Sequence, residues 1–269
     1  MSRVLIFLLV LLAGVFALAQ FMRRTGMFFP DRYPTGRWDP NLFMVVPSEH
    51  SFMTGDGVRL HAWFFAAADP RAPLMIWYHG NAGNLTDRAE TCAELARRGV
   101  SVFIFDYRGY GKSEGKTSEA KLFLDSEAAF DYASGLPGGG VVLYGESVGG
   151  PYAAWVAKKR PRTRAVVLEN TFPSLMDAGN AVTRPIPLGW TAPLALRTTK
   201  WLNEAGRPVL VMHGTRDDVI PYALGRKLYD DLRVPKEMLT ANAGHCEIPL
   251  FEPARYYDTV IRFILKEAA

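Results

Sequence analysis

Ser147 sits in Gly145-Glu146-Ser147-Val148-Gly149, between the apolar run Val141-Val142-Leu143-Tyr144 and a helix-like stretch from Pro151 to Lys159. In a strand-turn-helix setting this G-x-S-x-G is a sharp turn that presents the serine hydroxyl at the end of a sheet. Its glycines fall where any side chain would collide with the crossing backbone. A serine hydroxyl is a poor nucleophile at neutral pH, so it needs an adjacent base, and that base needs an acid to fix its tautomer. The chain has five histidines. His50 lies in a loop before the sheet proper, and His61 falls within a strand, where a core role is the simpler account. His79 and His213 end apolar strands and are followed by glycine, near the carboxyl edge where α/β sites form. His245, in the loop Ala243-Gly244-His245-Cys246-Glu247, is the best base, because a loop can lean it over Ser147. For the acid, the stretch after strand Pro208 to Met212 offers Asp217 and Asp218, and either could serve. Asp106 precedes Ser147 in the chain and reads as a supporting or turn-forming residue. The remaining need of acyl transfer is a pair of donors for a developing oxyanion. The backbone N–H of Val148 and that of Asn81, in the glycine-containing loop His79-Gly80-Asn81-Ala82-Gly83-Asn84, fit that role. A phosphate-binding loop is the rival reading of these glycines. No G-x-x-x-x-G-K-[ST] occurs, and Gly109 and Gly111 lack dinucleotide-fingerprint spacing.

The elements that must position these residues alternate along the chain. Leu42 to Val46 and Val58 to Phe65 read as an antiparallel pair across the turn signal Thr54-Gly55-Asp56-Gly57. Leu74 to Tyr78, Val100 to Phe105, Val141 to Tyr144, Ala165 to Leu168 and Pro208 to Met212 are continuous apolar runs, as expected of parallel strands covered on both faces. Helical stretches separate them: Arg88 to Arg98, Ser118 to Ser134, Pro151 to Arg160 and Leu224 to Leu232. A last strand at Glu237 to Thr240 and a helix from Pro253 to Lys266 close the domain. This order predicts an α/β fold with a mostly parallel, doubly wound sheet. After the sixth strand, the connection 171–207 is longer than an ordinary loop and carries Met176, Ile186, Leu188, Trp190 and Leu194 among its prolines. Long connections in compact domains tend to be lids or binding loops, so Met176, Leu188 and Trp190 are the candidate substrate contacts. Ordinary packing over the sheet is the competing account.

At 269 residues, with 49% hydrophobic and 22% charged, the chain has material for one large core. The formal net charge is +4, with basic and acidic residues interspersed, which argues against nucleic acid as a partner. Cys92 and Cys246 lie far apart and outside any metal-type spacing, so neither a disulfide framework nor a zinc site is expected. The N-terminus differs in kind. An uninterrupted apolar run from Val4 to Ala19 precedes the basic pair Arg23-Arg24. Residues 1–27 read as a single-pass membrane anchor ahead of a catalytic domain at 28–269, the run being near the lower limit for spanning a bilayer. The alternative is a signal peptide cleaved after the small-x-small Ala17-Leu18-Ala19, giving a secreted or periplasmic protein. The arginines after the run outnumber those before it, which favours a cytoplasmic catalytic domain.

With these residues assembled, the chain from about Asn41 to Lys266 resembles the α/β-hydrolase superfamily. Three stretches are similar to its branch of single-pass, membrane-anchored serine hydrolases, which includes protein depalmitoylases and many uncharacterised bacterial hydrolases: His79 to Asn84, Asp106 to Gly115, and Tyr144 to Gly150. The branch also carries H-G-x-x-D-x-x-[VI]-P, matched by His213, Gly214, Asp217, Ile220 and Pro221. That match carries the acid role to Asp217, and a G-H in the corresponding loop carries the base role to His245. The depalmitoylases have a cysteine-rich N-terminus where this chain has an apolar segment. The resemblance implies hydrolysis of a carboxylic ester or thioester through an acyl-serine, acting on a small-molecule or lipid-like substrate and needing neither cofactor nor metal. A serine peptidase of the same fold and a non-catalytic, membrane-associated binding module are the alternatives. A dehalogenase is disfavoured because Ser147 stands where a carboxylate would be expected.

Overall fold

The computed structural model describes residues 27–182, 189 and 196–268, together with residue 14. Its centre is an eight-stranded sheet. In chain order the strands are β2 (Ser48–Met53), β3 (Arg59–Phe65), β4 (Leu74–Tyr78), β6 (Ser101–Asp106), β7 (Val141–Glu146), β8 (Thr163–Glu169), β9 (Val209–Gly214) and β10 (Lys236–Ala241). Their spatial order is β10-β9-β8-β7-β4-β6-β3-β2. A separate two-residue pair joins β1 (Phe29–Pro30) in parallel to β5 (Ala82–Gly83). From β6 through β10 all pairings in the large sheet are parallel, and β3 runs antiparallel to both of its neighbours.

The central strands are wholly buried because both faces are covered. Successive side chains of a strand point to opposite faces, and β4 shows the consequence. Leu74, Ile76 and Tyr78 join one apolar cluster, whereas Met75 and Trp77 join the other. Helices α2 (Leu122–Ala133), α3 (Gly149–Lys159), α5 (Thr198–Ala205) and α6 (Tyr222–Asp231) cover the first face; α1 (Ala89–Arg97) and α8 (Pro253–Ala268) cover the second. In α8 the buried residues Tyr256, Val260, Phe263 and Ile264 recur at helical spacing, which gives the helix one stripe for the sheet and leaves the rest for water. The architecture is the doubly wound sheet expected from the order of elements.

One strand falls elsewhere than predicted. Residues 42–46 form no strand; Pro40–Leu42 is a turn of 3-10 helix, capped by the Asp39 carboxylate accepting the Asn41 N–H. The strand that pairs with β3 is Ser48–Met53, so His50 stands inside it and not in a preceding loop. This strand is at the sheet edge and mostly polar, so it lacks the apolar run that marks its neighbours. The long connection after β8 contains α4 (Leu175–Val182) and α5. Leu175, Leu196, Trp201 and Leu202 are buried in the core beside α3, so these parts are packing over the sheet, while Met176 is 52% exposed. Among the described residues, no helix is long and apolar enough to cross a membrane; the run Val4 to Ala19, apart from Gly14, lies outside them.

Candidate active site

The end of β7 turns into α3 through Ser147, which adopts the left-handed conformation with φ of +52°. Left-handed backbone is costly for a residue with a side chain and persists only where the surroundings over-determine it. Here they do. The Ser147 N–H donates to the Glu169 carbonyl at 2.8 Å and the Ser147 carbonyl accepts the Gly150 N–H at 3.0 Å. A Cβ on Gly145 would lie 2.6 Å from the Gly150 Cα, and one on Gly149 would lie 2.0 Å from the Tyr78 carbonyl oxygen, so neither position admits a side chain.

His245 comes from the loop between β10 and the short helix α7 (Ile248–Phe251). The Gly244 N–H donates to the Glu247 carboxylate, and the Ala243 carbonyl accepts the Arg216 N–H, which shape that loop. The His245 Nδ1–H donates to Asp217 Oδ2 at 2.8 Å, leaving Nε2 to accept from Ser147 Oγ at 3.1 Å. Asp217 is 7% exposed, whereas Asp218 beside it is exposed to solvent. The other Asp217 oxygen accepts the N–H groups of Val219 and Ile220 at 2.9 and 2.8 Å. Burial by itself would raise the Asp217 carboxyl. Hydrogen bonds from His213, His245 and Asn170 outweigh burial and hold it well below the usual carboxylate range.

Val148 is the N-cap of α3, where a backbone N–H has no partner within the helix. The loop 79–84 passes beside the serine: a Cβ on Gly80 would lie 3.5 Å from the Ser147 Cβ. Asn81 follows immediately in that loop, as Val148 follows Ser147 in the chain. Of the residues expected to meet substrate, Met176 lies on α4, and Leu188 and Trp190 lie outside the described residues. Among the described residues no group of three or more His, Cys, Asp and Glu is arranged to hold a metal ion.

The other histidines are engaged elsewhere. His79 is fully buried against Tyr107 and Tyr110, its Nδ1–H donating to the Gly80 carbonyl, and burial lowers its pKa. His213 Nε2–H donates to the Ile220 carbonyl at 2.8 Å and lies 3.3 Å from Asp217 Oδ2, so it supports the acid from below. His61 pairs with Glu49, and His50 with Ser48 and Tyr132. Asp106 is buried and its Oδ1 accepts the Leu85 N–H at 2.8 Å, a supporting place.

Several contributors carried no signal in the sequence. Asn170, also left-handed at φ of +48°, donates from Nδ2 to the Asp217 carboxylate. Glu146, next to the serine, is clamped by the Arg88 guanidinium and by Trp77 Nε1–H at 3.1 Å. Burial would raise the Glu146 carboxyl, but Arg88 outweighs it and brings it down to about 2. Behind the serine turn, Trp77, Arg88, Glu146, Glu169 and Cys246 line a cavity of about 250 Å³.

An eight-stranded, mostly parallel sheet with a strained serine turn at its carboxyl edge defines an α/β hydrolase, and the chain belongs to that superfamily. Residues 68–184 match the family described as serine aminopeptidase, S33. An uncharacterized protein of Mycobacterium tuberculosis is 31% identical over 264 residues, spanning 95% of this chain and 92% of the relative. The alpha/beta hydrolase domain-containing protein WAV2 of Arabidopsis thaliana is 30% identical over 238 residues, spanning 80% of this chain and 77% of WAV2. Among solved structures, the Pyrococcus furiosus esterase Pf2001 superposes with a TM-score of 0.73, covering 90% of this chain and 100% of that chain, at 19% identity. At that identity the likeness speaks for the fold.

Proposed function

We propose that this hydrolase cleaves carboxylic esters or thioesters through an acyl-serine at Ser147. The observation that carries the reading is the hydrogen-bonded chain from Asp217 through His245 to Ser147, at 2.8 and 3.1 Å. Ser147 Oγ attacks the carbonyl carbon as its proton passes to His245 Nε2, and the Asp217 carboxylate stabilises the imidazolium that forms. The carbonyl oxygen becomes an oxyanion facing the N–H groups of Val148 and Asn81. Collapse breaks the bond to the alcohol or thiol, which leaves with the proton from His245. Water then repeats the sequence and releases the acid.

The family description favours a second reading, a serine aminopeptidase. Such an enzyme needs an anionic group for the substrate's ammonium end. Glu146, the acid adjoining the serine, is already neutralised by Arg88, which favours the ester reading. A catalytic domain tethered to a bilayer through the run Val4 to Ala19 suits medium-chain esters or lipid-linked thioesters. On this proposal the full-length protein sediments with membranes and resists carbonate extraction; recovery in the supernatant would remove the tether.

Fluorophosphonate labelling tests the chemistry. The wild type is expected to label and Ser147→Ala to remain unlabelled, with kcat lower by about four orders of magnitude or more. On a panel of esters kcat/KM is expected to rise from two-carbon to medium-length chains, each buried methylene contributing about 0.8 kcal/mol. Near-normal hydrolysis by purified Ser147→Ala would sink the assignment, and failure of all esters with cleavage of aminoacyl substrates would favour the peptidase.

A further inference from the structure

The oxyanion loop is held from outside the sheet. Its residues 79–84 include two glycines and therefore define their own conformation weakly. The segment just after the N-terminal apolar stretch lies along it. Phe29 N–H donates to the Asn81 carbonyl at 2.8 Å, and Asn81 Nδ2 donates back to the Met27 carbonyl at 2.8 Å. The Tyr110 hydroxyl gives the Asn81 carbonyl a second donor at 2.7 Å. One step further, Asp31 N–H donates to the Gly83 carbonyl at 3.0 Å, and the Asp31 carbonyl accepts from the Gly111 N–H at 2.9 Å. Asn84 Nδ2 donates to the Thr35 carbonyl at 2.8 Å.

These bonds grip Asn81 by its carbonyl and its side chain and leave its N–H out of the grip. With both fixed, the residue's Cα and the peptide joining it to Gly80 are fixed in turn. That peptide carries the N–H assigned to the oxyanion, and it runs beside Ser147. We propose that Met27 to Asp31 is a positioning strap whose purpose is to aim the Asn81 N–H at the developing oxyanion. The inference rests on the acyl-serine reading. It gives the residues between the apolar run and the sheet a part in catalysis, beyond that of a linker.

The test uses the full-length chain and three variants. Asn81→Ala keeps the peptide N–H but removes the bond to Met27; Phe29→Pro removes the strap's donor to the Asn81 carbonyl and leaves that of Tyr110. Met44→Ala, at a position 73% exposed, is the control. Rates are expressed per active site by titration, so that a misfolded fraction does not count. In both strap variants kcat and the rate of fluorophosphonate labelling are expected to fall about tenfold or more, short of the roughly 10²–10³ that follows outright loss of one oxyanion donor. KM should stay within about twofold, because the donor acts on the transition state. Met44→Ala should match the wild type. Wild-type kcat and labelling rates in Asn81→Ala, whatever its melting temperature, would overturn the strap as a positioning element. A wild type that does not label at all would overturn the acyl-serine reading, and the strap with it.

Discussion

Asp217 and Glu169 are buried almost equally, at 7% and 2% exposure, and the protein holds them in opposite states of charge. Asp217 lies where five donors converge: Asn170, His213, His245 and the N–H groups of Val219 and Ile220. Glu169, at the end of β8, receives the Tyr144 hydroxyl on one oxygen, while its buried Oε1 has no partner among the described residues. Burial pushes the Glu169 carboxyl up to about 8, so it is largely protonated at neutral pH. The difference teaches that depth alone does not set ionisation here. The count and aim of donors do, and a region built for chemistry is one where donors have been gathered around a charge.

The comparison breaks most visibly at Asp217. Asp217→Asn should lower kcat by about 10⁴, because the amide favours the wrong imidazole tautomer. Asp218→Asn, at the exposed neighbour, should be within about twofold of wild type. Steady-state kinetics on one ester decide the matter, and the reverse ranking would move the acid role to Asp218.

Asn170 probes the donors themselves. Asn170→Gly accepts the positive φ without strain and removes one bond to the carboxylate. Its kcat should fall by about tenfold to a hundredfold, the worth of one hydrogen bond to a charged group. A kcat within about twofold of wild type would mean that Asn170 only shapes the backbone.

The smallest effect is expected at Glu169, and on stability. Its folded pKa lies above the ordinary 4.5, so the native state binds the proton more tightly than the unfolded chain does. The stabilisation is complete below about 4.5 and is lost as pH rises through about 8. Asp217 works in the opposite direction: its contribution is present above the ordinary carboxylate range and disappears in acid. Glu169→Gln should therefore flatten the decline of melting temperature between about pH 5 and 8 while leaving kcat within about twofold. An equally steep decline in the variant would show that Glu169 does not carry it.

Much of the fold and part of the candidate site could be read from the chain. The strands β4, β6, β7, β8 and β9 announce themselves because each carries a continuous apolar run buried on both faces of the sheet. The turn at Ser147 is local, with its glycines two residues to either side. The strand β2 was misplaced because an edge strand, wetted on one side, mixes Ser48, Glu49, His50 and Ser51 with little apolar content. Arg88 and Glu146 carry no mutual signal across 58 positions, yet they form the ion pair behind the serine. Asn170 likewise meets Asp217 across 47 positions.

The sequence by itself determined the alternation of strands and helices, the strained serine turn and the candidacy of His245, because each depends on short-range periodicity or on residues a few positions apart. Between Asp217 and Asp218, which the residues left open until the motif match, only the tertiary structure shows which carboxylate meets His245: that of Asp217, at 2.8 Å. The protonated state of Glu169 and the strap from Met27 to Asp31 belong wholly to the tertiary structure. The physical reason is common to them: hydrogen bonding and desolvation between residues remote in the chain depend on which strand ends the topology brings together, and no local pattern records that.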